Sequence, residues 1–312
     1  MRVLLAVALV GVVSGCSDDF RPGFRVVDTR VLGVRAEVVG DEARSRPRPG
    51  ETLRFEVFAA GPGGPASVSW AMTACATAGD ATGGVGRCAG DVLALDSSVT
   101  PSPGPPELTV VVPTGGLAGV REIVLLGVLC GEGEPDLAAL ADPSALPENL
   151  CTNPATPGEP FVATATIDFG DDANRTPRWA DQQILLDGSV WPLPGTEGCT
   201  GQPARPRAQG DAIIGFTGFP DEDREFFTVL VDDPPRPEQD REALQISHFT
   251  TAGEMERQFS VIEDVSLEPN FEWTPPDEAT IDPAGTLVRF YFVLRDLRGG
   301  VDWAERQLCI TP

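Results

Sequence analysis

The chain has 312 residues, a formal net charge of −24 at pH 7, 41% hydrophobic residues, 34 glycines and 30 prolines. This length allows two ordinary domains, and the hydrophobic content is typical of globular modules. The acidic balance argues against nucleic acid as a partner, because phosphates require a basic patch. Every basic residue is arginine, so a phosphate-binding loop of the Gly-x-x-x-x-Gly-Lys type cannot be complete.

The first sixteen residues predict export. Arg2 is a minimal positive n-region, and residues 3–13 form an apolar run that is shorter than the roughly 20 residues needed to span a bilayer. Val13-Ser14-Gly15-Cys16 resembles the lipobox of bacterial lipoprotein precursors, in which the cysteine is acylated and becomes the new N-terminus. The resemblance implies a signal peptide at 1–15, and a lipidated N-terminus with a tether at 16–23.

The same resemblance implies an attachment to a membrane. Acyl chains of the palmitate type on Cys16 would provide a stable anchor, at about 0.8 kcal/mol per buried CH₂. Ser17 follows the cysteine where an aspartate would favour the inner membrane, so we expect the outer membrane, on its periplasmic or cell-surface side. The alternative is an ordinary cleaved signal peptide in which Cys16 is incidental.

Strand patterns recur along the rest of the chain. Alternating or short apolar runs, bounded by Gly, Pro, Asp or Ser, predict strands at Arg25–Val39, Thr52–Ala59, Ala66–Met72, Glu107–Val112, Glu122–Cys130 and Phe161–Phe169. In the second half they predict strands at Gln183–Val190, Asp211–Phe219, Ala243–Phe249, Phe271–Trp273, Thr286–Leu294 and Val301–Ile310. A helical turn or two is predicted within Asp136–Leu146.

Three segments of the first half recur in the same order in the second half. The matched pairs are 50–53 with 210–213, 68–75 with 246–253, and 108–113 with 271–275. A Pro-Gly-Glu turn that opens one strand and a Ser-Trp pair on the next resemble bacterial immunoglobulin-like or fibronectin-like modules. The resemblance implies an all-β chain with two tandem immunoglobulin-like antiparallel β-sandwich domains, at 24–170 and 171–312. It also implies that Trp70 packs between the sheets of the first domain.

Cysteine parity predicts disulfides. With Cys16 acylated, the other six cysteines form an even set, which in an oxidising compartment indicates three bonds. Spacing favours Cys75–Cys88, Cys130–Cys151 and Cys199–Cys309, and sequence alone leaves the other connectivities open. A metal site is disfavoured, because no Cys-x-x-Cys pair occurs and the chain has one histidine.

Two candidate sites carry chemistry that metals or catalysis would use. His248, the single histidine, lacks a Gly-x-Ser-x-Gly partner motif, and a packed or half-exposed histidine on a strand explains it. Oxygen ligands for calcium cluster near the proposed domain boundary, at Asp168, Asp171, Asp172 and Asn174. Their spacing does not match an EF-hand, and the simpler interpretation is a solvated acidic linker, so no metal is predicted.

Two loops of the second half also stand out. Relative to the first half, the second has an insertion between matched positions, which contains the charged stretches 221–225 and 232–238 around 226–231. Such a loop is a natural place for recognition, and equally a solvated loop without a partner. Arg295–Gly300 has a glycine pair that suits a tight hairpin and an Arg/Asp alternation that suits cross-turn salt bridges.

These observations predict a non-enzymatic envelope protein that has a binding, adhesion or scaffold role and no cofactor. Expected partners are the membrane, through the lipid, and envelope proteins or polysaccharide. One alternative is a carbohydrate-binding or polysaccharide-associated module, which would present aromatic rings of the second half, namely Trp179, Trp191, Trp273 and Trp303. Another is a hydrolase with a site of scattered carboxylates, although no pair stands out.

Overall fold

The computed structural model describes residues 23–77, 91–102, 104–114, 122–136, 150–152, 160–170, 174–195, 198–219, 223–231 and 236–312. Their backbone consists of strands and turns, with 3-10 turns at Asp181–Gln183, Arg207–Gln209 and Glu278–Thr280. The predicted all-β class is confirmed. Cys16 and all but the first residue of the predicted helical turn at Asp136–Leu146 lie outside the described residues.

The first half forms a two-layered antiparallel sandwich. Its strands are β1 (Arg30–Val38), β2 (Thr52–Gly61), β3 (Gly64–Pro65), β4 (Val68–Thr77), β5 (Val92–Ser102), β6 (Glu107–Val111), β7 (Glu122–Cys130), β8 (Glu134–Pro135), β9 (Cys151–Thr152) and β10 (Phe161–Asp168). One sheet places β2 between β1 and β6, and β3 folds back on the end of β2. The other sheet has the order β10-β7-β4-β5, and β8 pairs with β9 separately.

The apolar pattern of each strand follows from what covers its faces. Strand β6 alternates, so that Leu108 and Val110 enter the core while their neighbours are exposed. Strand β7 is a continuous apolar run, because one face meets the core and the other packs Leu126 and Val128 against Leu150 outside it. Trp70 packs half-buried against the core, as the resemblance implied.

The second half forms another sandwich. Its strands are β11 (Ile184–Leu186), β12 (Ser189–Val190), β13 (Ala204–Pro206), β14 (Ala212–Phe216), β15 (Phe226–Val231), β16 (Arg236–Arg241), β17 (Leu244–Thr250), β18 (Glu254–Met255), β19 (Phe259–Ile262), β20 (Asn270–Thr274), β21 (Thr286–Arg295) and β22 (Val301–Thr311). The two sheets have the orders β12-β11-β14-β20-β18 and β13-β22-β21-β17-β19. Strand β13 is parallel to β22, and β15 pairs with β16 as a separate two-stranded ribbon.

The internal repeat corresponds to equivalent strands of the two sandwiches. The three matched pairs of segments fall on β2 and β14, on β4 and β17, and on β6 and β20. Around them, the sheet order β10-β7-β4-β5 of the first domain corresponds to β22-β21-β17-β19 of the second. The two halves of the chain therefore repeat one arrangement of strands.

The predicted strand Arg25–Val39 is divided between the two domains. The Val26 N–H donates to the Thr250 carbonyl and the Thr250 N–H donates to the Phe24 carbonyl, each at 2.9 Å. Phe24 is buried in the core of the second domain, and β1 of the first domain begins at Arg30. A single strand was therefore a wrong prediction, because alternation does not specify which sheet receives each part.

Two predicted disulfides are present. Cys130–Cys151 ties the end of β7 to β9, and Cys199–Cys309 ties the segment before β13 to β22. Cys75, in β4, is also disulfide-bonded, and its predicted partner Cys88 lies outside the described residues. The second bond encloses a loop of 110 residues and so restricts the unfolded second domain.

Candidate functional site

The outer face of β1 and β2 packs against β21 and β22 of the second domain. This apolar contact, the junction cluster, consists of Val26, Leu32, Phe58, Ala60, Tyr291, Val293 and Val301, with Phe249 and Trp303 packed against it. The two backbones approach closely at Gly33, where a Cβ atom would lie 3.2 Å from a methyl group of Val293. A β-bulge between Val31 and Gly33 interrupts the register with β2 at this point.

Beside the junction cluster lies a network of charges, the junction network, formed by Arg35, Glu37, Glu56, Arg178 and Asp302. The Arg35 guanidinium donates to Glu56 of its own domain and, at 2.9 Å, to Asp302 of the second domain. Arg178, in the segment that follows the first domain, donates to Glu37 at 2.6 Å. Both domains therefore contribute charges that the other domain neutralises.

Glu37 shows how tightly this network is paired. Its side chain is buried, which by itself raises the pKa of the carboxyl group. Hydrogen bonds from Arg178 and Arg54, and the charge of Arg35, outweigh burial and hold the pKa of Glu37 below its usual value. The carboxylate is thus the favoured form in the folded protein.

Trp303 connects the junction network to an apolar cleft. Its indole stacks on Phe58, with ring centroids 5.0 Å apart, and the Arg35 guanidinium lies 4.3 Å from its centroid. A cleft of about 230 Å³, the tryptophan cleft, opens beside it and is lined mainly by Pro65, Pro105 and Pro106 together with these aromatic rings.

The four tryptophans of the carbohydrate alternative have different environments. Trp191 and Trp273 are fully buried, and their rings pack edge-on against Phe290 in the core. Trp179 is half-buried against Phe216 and Phe219. Trp303 is therefore the one among these four that lines a described cleft.

The proposed calcium ligands are not brought together in the described residues. Asp168 is about half exposed and lies 3.6 Å from Arg46, and Asp171 and Asp172 lie outside the described part. Asn174 is buried, and its amide nitrogen donates to Ser45 and Asp296, at 2.8 Å each. Over the described ranges no group of three or more His, Cys, Asp or Glu side chains is arranged to hold a metal ion.

A buried pair of carboxyl groups, Glu242 and Asp296, lies near this asparagine. Glu242 receives a hydrogen bond from the Glu225 N–H at 3.1 Å and one from Arg298. Burial, assisted by the charge of Asp296, raises the pKa of Glu242 to about 7. Burial also raises the pKa of Asp296, against hydrogen bonds from the Arg298 N–H and Asn174. Sequence reasoning missed this pair, because each residue sits in an ordinary charged loop.

The hairpin at Arg295–Gly300 is as predicted in shape but differs in its contacts. Gly299 has a φ of 112°, and Leu297, at 64°, also lies in the left-handed region. Asp296 accepts hydrogen bonds from the backbone N–H groups of Arg298 and Gly300, which closes the turn. Arg298 pairs with Glu242 rather than across the turn, so the predicted cross-turn salt bridge is replaced by a link to β16 and β17.

The insertion of the second half forms the ribbon of β15 and β16. Its base is held by Arg298, whose guanidinium lies 4.8 Å from the ring centroid of Phe227, and Phe226 is 68% exposed. Residues 220–222 and 232–235 lie outside the described residues. Sequence reasoning located this insertion but did not predict that it contains strands.

His248 is packed in the core, as predicted. Its ring stacks on Phe271 with centroids 4.0 Å apart, and Nδ1 lies 3.2 Å from the Arg257 carbonyl. Burial lowers the pKa of His248 to about 3, so the imidazole is neutral at physiological pH. This environment supports a structural role.

A second cleft, the edge cleft, has a volume of about 420 Å³. It lies where β1, β10 and the β21–β22 hairpin meet, and its lining includes Val31, Val162, Thr164 and Arg295. Among the described residues, no helix is long and apolar enough to cross a bilayer.

No protein-family model matches the chain, and no curated protein matches it in sequence. Solved structures that match include trypsin-activated α-2-macroglobulin from Escherichia coli, at 9% identity and a TM-score of 0.25, covering 91% of this chain and 18% of that one. The native conformation of the E. coli protein matches at 8% identity and 0.25, covering 91% and 17%. A point mutant of Salmonella α-2-macroglobulin matches at 12% and 0.25, covering 90% and 16%. The chain thus spans less than a fifth of these proteins, and such TM-scores add nothing to an argument about function.

Proposed function

We propose that this protein is a lipid-anchored component of a bacterial cell envelope, in which two sandwich domains act as one rigid, non-catalytic binding or scaffold unit. The observation that carries this proposal is the packed junction between the domains. Two domains that move independently share few contacts with each other. Here the junction cluster and the junction network cover the outer face of β1 and β2.

The anchor part of the proposal rests on the lipobox-like residues 13–16, and the disulfides support it. Disulfides persist in exported proteins and are rare in the cytosol. Cys130–Cys151 and Cys199–Cys309 therefore agree with a chain that leaves the cytoplasm. Cys16 itself would hold the protein on the membrane surface, with the sandwiches outside it.

Replacement of the proposed lipid acceptor tests the anchor. In the native host, we expect the wild-type chain in the membrane fraction, with a mass that begins at an acylated Cys16 and rises by about six mass units when three disulfides are reduced. Cys16→Ala should lose the acyl mass and the membrane association. Ser17→Ala is the matched control and should keep both. A wild-type chain with an unmodified Met1, or with free thiols throughout, would overturn the proposed location.

A carbohydrate-binding role is a second candidate, which the tryptophan cleft supports. Trp303 and Phe58 supply aromatic surface there, and Glu56 supplies a polar group. Polysaccharide purified from the host envelope should then change the tryptophan fluorescence of the protein in a saturable manner. Trp303→Phe, which keeps a ring in the stack, should abolish that change, while Trp179→Phe should not. Equal signals from both variants would contradict binding at this cleft.

The hydrolase alternative gains no support from the described carboxyl groups. Glu242 and Asp296 are buried, and both are engaged in hydrogen bonds that tie the β21–β22 hairpin to its neighbours. These contacts are those expected of residues that hold a structure together.

A further inference from the structure

The two sandwiches differ at the outer edge of their last strand. In the second domain β13 runs parallel to β22 and pairs with it from Ala204↔Cys309 to Pro206↔Thr311. In the first domain the last strand, β10, pairs with β7 on one side and, within the described residues, with no strand on the other. The connection between β1 and β2 reaches this side after β10 has ended, where the Gly170 N–H donates to the Pro47 carbonyl at 3.0 Å.

The edge cleft lies along this unpaired edge. Thr164 and Thr166 of β10 line it and are exposed, and Val162 is 44% exposed. Natural proteins protect a free edge with charges, prolines or a covering segment. From Phe161 to Ile167, β10 has neither a charged residue nor a proline. Strand β1 lies alongside this edge and lines the same cleft, but among the described residues it forms no hydrogen-bonded ladder with β10, so that β10 has no strand partner on this side.

The cleft also contains a cation for which the described residues supply no counter-ion. Arg295 lines it and donates to Ser247 Oγ at 2.8 Å and to the Leu32 carbonyl at 2.9 Å. No carboxylate of the described residues forms an ion pair with it, although the chain has 47 acidic residues. An incoming acidic side chain would supply the missing charge, and desolvation strengthens such a pair.

We propose that the edge cleft is a strand-accepting site that binds an extended, apolar segment of another protein carrying an aspartate or glutamate. The segment pairs with β10 in the way that β13 pairs with β22, and its carboxylate faces Arg295. Main-chain hydrogen bonds provide affinity in this mode, and alternate side chains provide specificity. The inference deepens the proposed binding role, and it does not depend on the lipid anchor.

Selection of peptides on the full mature chain tests this site. A random dodecapeptide library should yield binders that alternate apolar residues and contain Asp or Glu. Their affinity should fall at least tenfold in Thr164→Glu, which places a like charge in the cleft, and in Arg295→Gln, which removes the cation. Val99→Glu, on the edge strand β5 at the other side of the same sheet, is the matched control and should bind normally. Hydrogen exchange of β10 amides should slow when peptide is bound.

Three results would overturn the inference. The first is a failure to enrich any peptide on the folded chain, and the second is enriched peptides whose affinity is unchanged in Thr164→Glu and Arg295→Gln. The third is self-association of the chain that Thr164→Glu abolishes, since the occupant would then be a second copy. Thermal melts of each variant show whether it is folded. Because the assay uses soluble mature chain, its failure is distinguishable from failure of the Cys16→Ala test.

Discussion

Glu242 carries its proton at a pH where most carboxyl groups are ionised. Its side chain is fully buried between β16, β17 and the β21–β22 hairpin, next to Asp296, Glu225 and Arg298. Since the pKa of Glu242 rises from 4.5 to about 7 on folding, the folded state binds more protons than the unfolded state between these values. The stability that this residue contributes is fully present below pH 4.5 and is lost as pH rises through 7.

Glu242→Gln should therefore stabilise the protein at pH 8, by about 1–2 kcal/mol, and have a smaller effect at pH 5. Urea denaturation at the two pH values measures the difference. Glu238→Gln, on the exposed part of β16, is the control and should change little at either pH. An equal loss of stability at both values would show that the ionised Glu242–Arg298 pair stabilises the fold instead.

For single residues, prediction from the sequence succeeded where the residue type allows few structural environments. Disulfides were expected from the even number of cysteines that remains without Cys16, and two of the predicted pairs are present. The lone histidine was expected to be packed or half-exposed on a strand, and His248 is buried in the core. Glu242 and Asp296 were not predicted, because their burial depends on a hairpin and a ribbon that meet only in the folded chain.

The segment before β1 behaves as a separate structural element. Phe24 belongs to the core of the second domain, and Val26 belongs to the junction cluster. Arg25 donates to the Gly253 carbonyl beside them. The segment that precedes β1 in sequence thus packs as part of the second domain.

Phe24→Ala should accordingly destabilise the second domain, although the residue lies outside its sequence limits. Removal of a buried phenylalanine ring costs about 3 kcal/mol. Unfolding followed by the fluorescence of the buried Trp191 and Trp273 should shift to lower urea. Val27→Ala, at a 37% exposed neighbour, should leave the midpoint almost unchanged. A midpoint for Phe24→Ala that matches the control would mean that the segment is not docked in solution.

Strands could be located from the sequence where their hydrophobic pattern reflects burial within a single sheet. Strands β7 and β21 are long apolar runs, and both were located from sequence. Strand β5 was missed, because it is an edge strand with Val92, Leu95 and Val99 exposed, which breaks the usual alternation. The ribbon of β15 and β16 was missed because the apolar β15 is flanked by charged stretches and β16 is itself charged, which together resemble a loop.

At the scale of the whole molecule, ion pairs between the two domains add to the apolar contacts of the junction cluster. Arg35 is the centre of the junction network, since it contacts Glu56, Glu37 and Asp302 and lies against Trp303. Removal of one partner from a buried charge network leaves the others unpaired, which is more costly than loss of a surface pair. The repeat of two sandwiches was predictable from the sequence, but this junction was not, because its partners are up to 267 positions apart.

Arg35→Met keeps an apolar stem against Trp303 but removes the charge. We expect a loss of about 2–4 kcal/mol from the junction, so that one cooperative unfolding transition separates into two. Differential scanning calorimetry would resolve them. Arg257→Met removes an exposed pair with Glu256 and should leave the single transition intact. A wild-type protein that already unfolds in two steps would contradict a rigid two-domain unit.

The path of the backbone near Phe24 decides how the molecule bears a mechanical load. A pull on the chain ahead of Gly23 reaches the hydrogen bonds between Phe24, Val26 and Thr250 before it reaches β1. The added segment runs parallel to β17 at Arg25 and Thr250, so tension along it acts on these bonds in shear. Force applied at this end is thus transmitted first to the second sandwich. The first sandwich bears the force only after the hydrogen bonds to Thr250 have broken.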